Sequence, residues 1–229
     1  MKSLRTDHPA LIGVGHTLFL RSVKPPESVK RLLQPSSSNS KLSGGGTKGY
    51  VTKGKWKGKP MYSLTLQERR TCPSSCQQWK NCYGNNMPFA NRIDHQSPLF
   101  IPTLTAEMSS LSAKHPAGFV VRLHVLGDFF SVAYVNFWKK ALKLYPGLCI
   151  FGYTHRSADS PIGRAVTALN SSGAWIRWSD AGGPMSANTD TADKIAEGIL
   201  CPEQSGKTAG CTTCGLCWSV TKPIRFSIH

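Results

Sequence analysis

No stretch of the chain approaches the roughly 20 consecutive apolar residues that a membrane-spanning helix needs, although apolar residues make up 40% of its 229 residues. The apolar stretch near the N-terminus, residues 10–20, is interrupted by His16 and followed by Arg21 without a small-residue cleavage site, so it does not fit a secretory signal. We therefore expect a globular cytosolic protein that has its own buried core and does not associate with membranes.

Acidic residues are scarce in this chain. It has 12 Asp and Glu against 28 Lys and Arg, a formal net charge of +16, and residues 1–60 hold 12 of the basic residues but only two of the acidic ones. Stretches rich in Ser, Pro and Gly at 35–40 and 43–47 are typical of loops. These features predict a basic, loop-rich N-terminal extension over residues 1–48, a domain over residues 49–229, and an anionic partner, with nucleic acid as the leading candidate.

After residue 60, strand-like runs alternate with helix-like runs, which predicts βαβ units and a parallel sheet. Four or five such units fit in the remaining chain, whereas a complete eight-unit barrel needs about 250 residues. We therefore expect an α/β fold, a TIM-like partial or compact βα barrel, with an open doubly wound sheet as the alternative. The predicted strands cover 61–66, 119–125, 148–154, 174–179 and 223–228, and the predicted helices cover 104–111, 131–145, 161–169 and 191–199.

Seven of the eight cysteines fall into two tight clusters, while Cys149 lies mid-strand among apolar residues and is expected to be a packed core thiol. In a chain of this length without an export signal, such clusters indicate metal binding rather than disulfides. The C-terminal cluster, Cys201, Cys211, Cys214 and Cys217, supplies enough thiolates for a complete coordination sphere. Its two-residue intervals are typical of ferredoxin-type iron–sulfur sites, whereas structural zinc, the alternative metal, more often uses separated pairs.

The N-terminal cluster, Cys72, Cys76 and Cys82, supplies three thiolates. A [4Fe-4S] cluster held by three cysteines has one iron free to bind a substrate or cofactor. Alternatively, Cys201 completes this site, and the remaining C-terminal cysteines form a second triad. The sequence therefore predicts one or two iron–sulfur clusters and leaves the partition of ligands open.

Polar residues follow the predicted strands, and chemistry in parallel α/β folds collects at the carboxyl ends of strands. Asp128, His124 and His155 are therefore the candidate catalytic residues. Because Arg122, His124 and Asp128 share strand parity, we expect all three to project into the interior, where Arg122 would need Asp128 or a cluster sulfide as its partner. The alternative for His124 is a core histidine that is hydrogen-bonded to a backbone carbonyl.

A lysine-rich turn precedes the first of these strands. Lys53, Lys55, Lys57 and Lys59 alternate around Trp56, so the lysines could track phosphates while the aromatic ring stacks on bases. The alternative is a solvated hairpin edge that its lysines protect from pairing with other chains.

Several of these motifs, taken in order, resemble those of the bacteriophage gene product 88-like proteins over roughly residues 45–229. This resemblance implies a phage-encoded protein that works in the host cytosol, and it supplies no catalytic residues. The motifs that carry it are Thr71-Cys-Pro with Cys76 and Cys82-Tyr-Gly, His124-Val-Leu-Gly-Asp-Phe-Phe-Ser131, Tyr153-Thr154, and Cys201-Pro followed by Cys211 and Cys214-Gly-Leu-Cys217-Trp218.

A more distant resemblance is to radical S-adenosylmethionine (SAM) enzymes, which place a three-cysteine cluster loop after the first strand of a partial barrel. It implies a [4Fe-4S] cluster on the N-terminal cysteines and SAM beside Gly127-Asp128, at the end of the second strand. The loop spacing here is C-x3-C-x5-C, against C-x3-C-x2-C in those enzymes.

These observations lead us to expect an iron–sulfur protein whose cluster-dependent chemistry acts on nucleic acid or a nucleotide. Two alternatives come from other functional classes. One is a non-catalytic nucleic-acid-binding protein with structural zinc or iron–sulfur, and the other is an electron-transfer protein.

Overall fold

The computed structural model describes residues 17–44, 48–76, 78–79 and 81–228. Its helices are α1 (Ser40–Ser43), α2 (Phe100–Lys114), α3 (Val132–Leu144), α4 (Pro161–Ser171) and α5 (Cys211–Cys214). Its strands are β1 (Val23–Lys24), β2 (Gln34–Pro35), β3 (Met61–Leu64), β4 (Arg92–Ile93), β5 (Phe119–Leu123), β6 (Leu148–Thr154), β7 (Trp175–Ser179), β8 (Ser186–Thr189), β9 (Ile199–Leu200) and β10 (Ile224–Phe226).

Eight of these strands form one sheet in the order β2-β3-β5-β6-β7-β8-β10-β9, and β1 pairs with β4 separately. Within the sheet β2 runs antiparallel to β3, and every other pairing is parallel. The predicted α/β class with a parallel sheet is therefore confirmed. The pairings of the described residues leave β2 and β9 as edge strands, so a closed barrel is not found. None of the described helices is both long and apolar enough to cross a membrane.

The three long helices pack on the same face of the sheet. Strands β3, β5, β6 and β7 are neighbours in chain order, with α2, α3 and α4 in the connections between them. Leu104 of α2, Trp138 of α3 and Val166 of α4 share one core with Val121 and Ile176 of the sheet. A doubly wound sheet has helices on both faces, so the arrangement differs from that alternative.

The other face of the sheet is covered by segments from both ends of the domain. Val120 and Phe151 of the sheet pack there with Leu42, Trp56 and Trp218. The central strands are thus buried on both faces, which explains why β5 is an almost continuous apolar run. Alternation along β5 places the one charged residue of that run, Arg122, on this second face, opposite the three long helices.

The described part of the predicted N-terminal extension packs into the same unit as the sheet. Leu32 and Leu33 belong to the core beneath α2, and their backbone amides donate to the Glu107 carboxylate at 2.5 and 2.9 Å. Leu42 belongs to the core on the opposite face. Few regular elements form here, as the composition predicts, and residues 1–16 and 45–47 of the extension lie outside the described residues.

The predicted helix over 191–199 is wrong. This segment is irregular and ends in the short strand β9. Side chains before it bind its backbone instead, because Asp190 accepts a hydrogen bond from the amide of Ala196 at 2.9 Å and Asn188 donates to the carbonyl of Glu197 at 3.1 Å. Such local bonds from Asp and Asn offer the backbone an alternative to the helical pattern.

A buried ion pair that the sequence did not reveal fixes the loop between the N-terminal cysteines and β4. Arg92 donates to both carboxylate oxygens of Glu68, at 2.6 and 2.9 Å. Its remaining N–H groups donate to the carbonyls of Gly84, Met87 and Ala90 at 2.9 to 3.0 Å. The guanidinium therefore holds the chain that leaves Cys82 in one conformation.

Replacing Arg92 with methionine should lower the free energy of unfolding by about 3–5 kcal/mol, because the Glu68 carboxylate stays buried without its partner. Urea unfolding measures this change. Arg70→Met, which removes an exposed guanidinium from the same segment, should cost under about 1 kcal/mol. Equal stabilities of the two variants would contradict this role of the ion pair.

Candidate functional site

The four C-terminal thiols meet at one place. Cys201, Cys211, Cys214 and Cys217 all line a single small cavity, which Trp218 and Ile224 help to enclose. All eight cysteines of the chain lie within the described ranges, and each is a free thiol. None of the eight is therefore joined to another by a disulfide, and the prediction that the seven clustered cysteines bind metal stays a prediction.

Local backbone geometry brings these thiols together. Helix α5 carries Cys211 and Cys214 and ends at Gly215, whose φ of +73° lies in the left-handed region that favours glycine. The chain then turns so that Cys217 faces the sheet. Arg177 of β7 holds this segment, since its buried guanidinium donates to the carbonyls of Cys217 at 3.0 Å and Lys222 at 3.1 Å, and also to that of Val220.

The C-terminal thiols disfavour one another's ionised form. Burial raises the pKa of Cys211 to about 12; Arg122 lowers it, and the charges of Cys217 and Cys201 raise it. Burial also raises the pKa of Cys217 to about 11, and the hydroxyl of Tyr153 lies 2.9 Å from its sulfur. Four thiolates at this place therefore need a positive charge among them.

The N-terminal thiols form a second group at the carboxyl ends of the central strands. Burial raises the pKa of Cys72 well above its ordinary value, and the charges of Asp128, Cys82 and Cys76 raise it further. Burial raises the pKa of Cys82 to about 11. Cys201 lines the other cavity, so of the partitions that the sequence left open, the structure groups the cysteines as three and four.

Across the described ranges, no group of three or more Cys, His, Asp or Glu side chains is arranged to hold a metal ion directly. The donor set itself fits zinc or an iron–sulfur cluster, both of which take four thiolates. A buried positive charge lies beside the C-terminal thiols. It belongs to Arg122, whose Nε has no hydrogen-bond partner in the described part of the chain. An anionic cluster on the thiols would balance this cation.

Asp128, a predicted catalytic residue, braces the N-terminal thiol loop. Its Oδ1 accepts hydrogen bonds from the Thr154 hydroxyl at 2.8 Å and the Phe129 amide at 2.6 Å, and its Oδ2 accepts one from the His155 amide at 2.8 Å. Its own amide donates to the hydroxyl of Thr71 at 3.0 Å. Burial raises the pKa of Asp128, and these hydrogen bonds to the carboxylate lower it. Through its carboxylate Asp128 thus joins the segments that follow β5 and β6, and through its amide it ties them to Thr71, the residue before Cys72.

Arg156 reinforces this brace. Its Nε donates to the carbonyl of Phe129 at 2.8 Å and its Nη2 to that of Thr71 at 2.5 Å. The roles of Arg156, Thr71 and Thr154 in this brace were not predicted from the sequence. Their positions in the sequence were the available clue to these roles. Thr71 directly precedes Cys72, and Thr154 directly precedes the candidate catalytic residue His155.

His124 is a core residue on the helix side of the sheet. Its Nε2 lies 2.9 Å from the hydroxyl of Tyr134 on α3, and its ring stacks on Tyr134 and meets Phe129 edge-on. The expectation that it projects with Arg122 and Asp128 into one interior is therefore wrong, and the partner is a hydroxyl. Burial, followed by the charge of Arg122, lowers the pKa of His124 to about 3.

A polar cleft of about 510 Å³ opens at the carboxyl ends of β6, β7 and β8. Burial raises the pKa of Cys76, and the carboxylates of Asp128 and Asp180 raise it further. Asp180 and Gln78 line the cleft, so the loop of the N-terminal thiols borders the cleft at Gln78, two residues after Cys76. Of the predicted catalytic residues, His155 faces the cleft. Its charged and polar walls include Gln78, His155, Asp180, Asn188, Lys194 and Glu197.

Fewer residues of the lysine-rich turn are available to bind nucleic acid than the sequence predicts. Trp56 is 6% exposed and stacks on Trp218 with ring centroids 5.0 Å apart, so it cannot stack on bases. The Nζ of Lys59 donates to the carbonyls of Ala117 and Gly147. Lys55 is exposed and its Nζ lies 4.0 Å from the Trp175 ring centroid. The other two lysines of the turn, at positions 53 and 57, are also exposed.

Comparisons of the chain with protein-family models, curated proteins and solved structures found no match. The resemblances noted from the motifs therefore stay predictions.

Acid should destabilise the fold through His124. Between its ordinary pKa of 6.5 and its folded value of about 3, the unfolded chain binds a proton that the native protein excludes. Stability should therefore fall as pH falls through this window, by up to about 1.4 kcal/mol per pH unit from this residue. Urea unfolding at pH 6, 5 and 4 should show a flatter decline for His124→Gln. Identical declines in both proteins would contradict the buried neutral state.

Proposed function

We propose that the chain is an iron–sulfur protein with two cluster sites. Cys201, Cys211, Cys214 and Cys217 would bind one cluster with a complete set of protein ligands. The N-terminal thiols would bind a [4Fe-4S] cluster that leaves one iron open. Soft thiolate donors in these numbers suit iron–sulfur clusters.

One observation carries this proposal above the others: four thiols line one cavity beside a buried guanidinium whose Nε has no partner in the described ranges. A tetrahedral zinc–tetrathiolate site also carries negative charge, so zinc stays the alternative metal. Three thiolates at the other site fit iron–sulfur better, because zinc in structural sites takes four protein ligands.

The two sites differ in their access to substrate. The C-terminal thiols are packed beneath Trp218, whereas the loop of the N-terminal thiols borders the polar cleft at Gln78. We therefore assign substrate binding to the cleft. A reduced cluster at the N-terminal thiols would supply electrons there, to SAM if the resemblance to radical SAM enzymes holds. Asp128 and Arg156 would keep the loop in place, and His155 and Lys194 would offer hydrogen-bond donors to the substrate.

The proposal also includes the predicted TIM-like partial βα barrel. Strands β3, β5, β6 and β7 follow chain order with their helices on one face, as in a segment of a TIM-like barrel. Membership of the bacteriophage gene product 88-like family and work in the host cytosol are proposed with it. A reducing compartment would keep the eight thiols free.

Protein purified without oxygen should be brown, absorb broadly near roughly 400 nm, and contain about eight irons and eight sulfides per chain. Cys201→Ala/Cys211→Ala and Cys72→Ala/Cys76→Ala should each remove about half of the iron, since each pair belongs to one site. Cys149→Ala, the matched control, should retain all of it. A colourless protein with stoichiometric zinc would reject the proposal.

The same preparation tests the SAM assignment. After reduction with dithionite, added SAM should yield 5′-deoxyadenosine or methionine, and the Cys72→Ala/Cys76→Ala variant should yield neither. If the iron-loaded protein leaves SAM intact, the iron–sulfur assignment stands and the SAM assignment is wrong.

The net charge of +16 supports a nucleic acid as substrate or partner. The exposed lysines at positions 53, 55 and 57 are the candidate contacts that the structure leaves in the predicted turn. Binding to a single-stranded oligonucleotide should weaken steeply as the salt concentration rises. Lys53→Ala/Lys57→Ala should reduce the slope of log affinity against log salt concentration by the equivalent of about one to two phosphate contacts. Salt-insensitive binding would contradict this partner class.

A further inference from the structure

Arg122 is a buried cation at the centre of the sheet. It lies in β5, pairing in register with Ser63 of β3 and Phe151 of β6. The residue is 9% exposed. It occupies the face opposite the three long helices, where the C-terminal thiols pack. A guanidinium at this depth has left water and must find compensation from the protein or from something bound to it.

Other buried arginines of this protein have that compensation. Arg92 pairs with the Glu68 carboxylate, and Arg177 donates to backbone carbonyls. By contrast, no carboxylate in the described ranges forms an ion pair with Arg122. Asp128, the partner expected from the sequence, directs its oxygens to other donors.

Arg122 lies close to the C-terminal thiol centre. Its guanidinium carbon lies 5.8 Å from the ring centroid of Tyr153, whose hydroxyl contacts the sulfur of Cys217 at 2.9 Å. Burial lowers the pKa of Arg122, and the charges of Tyr83, Cys211, Tyr153 and Cys217 together raise it. The contact through Tyr153 therefore places this cation beside the C-terminal thiols.

We propose that Arg122 is the counterion of the C-terminal cluster, a positioning residue that sets its reduction potential. This inference rests on the proposed function. The unpartnered Nε of Arg122 would donate to the cluster at the C-terminal thiols. Reducing this cluster adds one electron and no proton, so the reduced form carries one more negative charge. A nearby cation stabilises that form and raises the potential.

The test is a redox titration of the anaerobic protein against dithionite, followed by electron paramagnetic resonance, with iron and sulfide measured in parallel. Arg122→Gln should shift the midpoint potential of the C-terminal cluster to a more negative value. Arg122→Lys, which restores the charge, should recover most of the shift. Titrating each variant with and without Cys72→Ala/Cys76→Ala assigns the signals to the two centres. Arg164→Gln, which removes an exposed arginine from α4, should leave both potentials unchanged.

The outcomes separate this inference from the proposed function. If Arg122→Gln keeps its iron and sulfide and the potential of the C-terminal cluster matches the wild type, the counterion role is wrong while the iron–sulfur assignment stands. If the wild-type protein binds no iron, the proposed function fails and the inference fails with it. Arg122→Met, which keeps the apolar stem and volume, supplies a second neutral variant should Arg122→Gln not fold, and the same potentials are expected for it.

Discussion

Positive charge inside the protein is the constraint on which the rest of this structure depends. Arginines hold both cysteine-bearing segments from within: Arg92 fixes the loop after Cys82, Arg156 fixes the loop before Cys72, and Arg177 fixes the segment around Cys217. Each reaches several backbone carbonyls at once, which a planar guanidinium does better than a lysine ammonium. The thiol groups thus stand on a frame of buried cations and backbone.

The two thiol centres occupy unlike surroundings in one sheet. The N-terminal group stands at the strand ends, and Gln78 of its loop lines the broad polar cleft. The C-terminal group packs on the sheet face in the same apolar cluster as the stacked rings of Trp56 and Trp218. Burial limits solvent access to a metal centre and tunes its potential. On the proposed function, the first centre would therefore serve chemistry and the second would hold or pass electrons.

Much of the regular structure could be predicted from local patterns. The apolar run of β5, the strand 148–154 and the helix that begins after Ser131 were all predictable, because the run lengths are distinct and Ser131 caps α3 by accepting from the Tyr134 amide at 3.1 Å. The segment 191–199 was not, since bonds from Asp190 and Asn188 override its helical spacing.

The site was less predictable than the fold, since it depends on contacts between residues far apart in sequence. Spacing alone singled out the seven clustered cysteines, but their grouping as three and four is fixed by packing against the sheet. Strand parity suggested that His124 and Arg122 share a face, yet Tyr134 on α3 binds the histidine on the other side. The pair of Glu68 and Arg92, 24 residues apart, left no pattern that a sequence reading could detect.

The covering of the sheet also sets an order of events during synthesis. Helices α2 to α4 and their strands are complete well before the ribosome reaches Cys201, and proteins generally fold from the N-terminus as they emerge. One face of the sheet, with Arg122 in it, therefore waits for residues 201–226 to arrive. The N-terminal thiols are synthesised before the C-terminal ones, so on the proposed function the first centre would acquire its sulfide and iron while the second is still being translated.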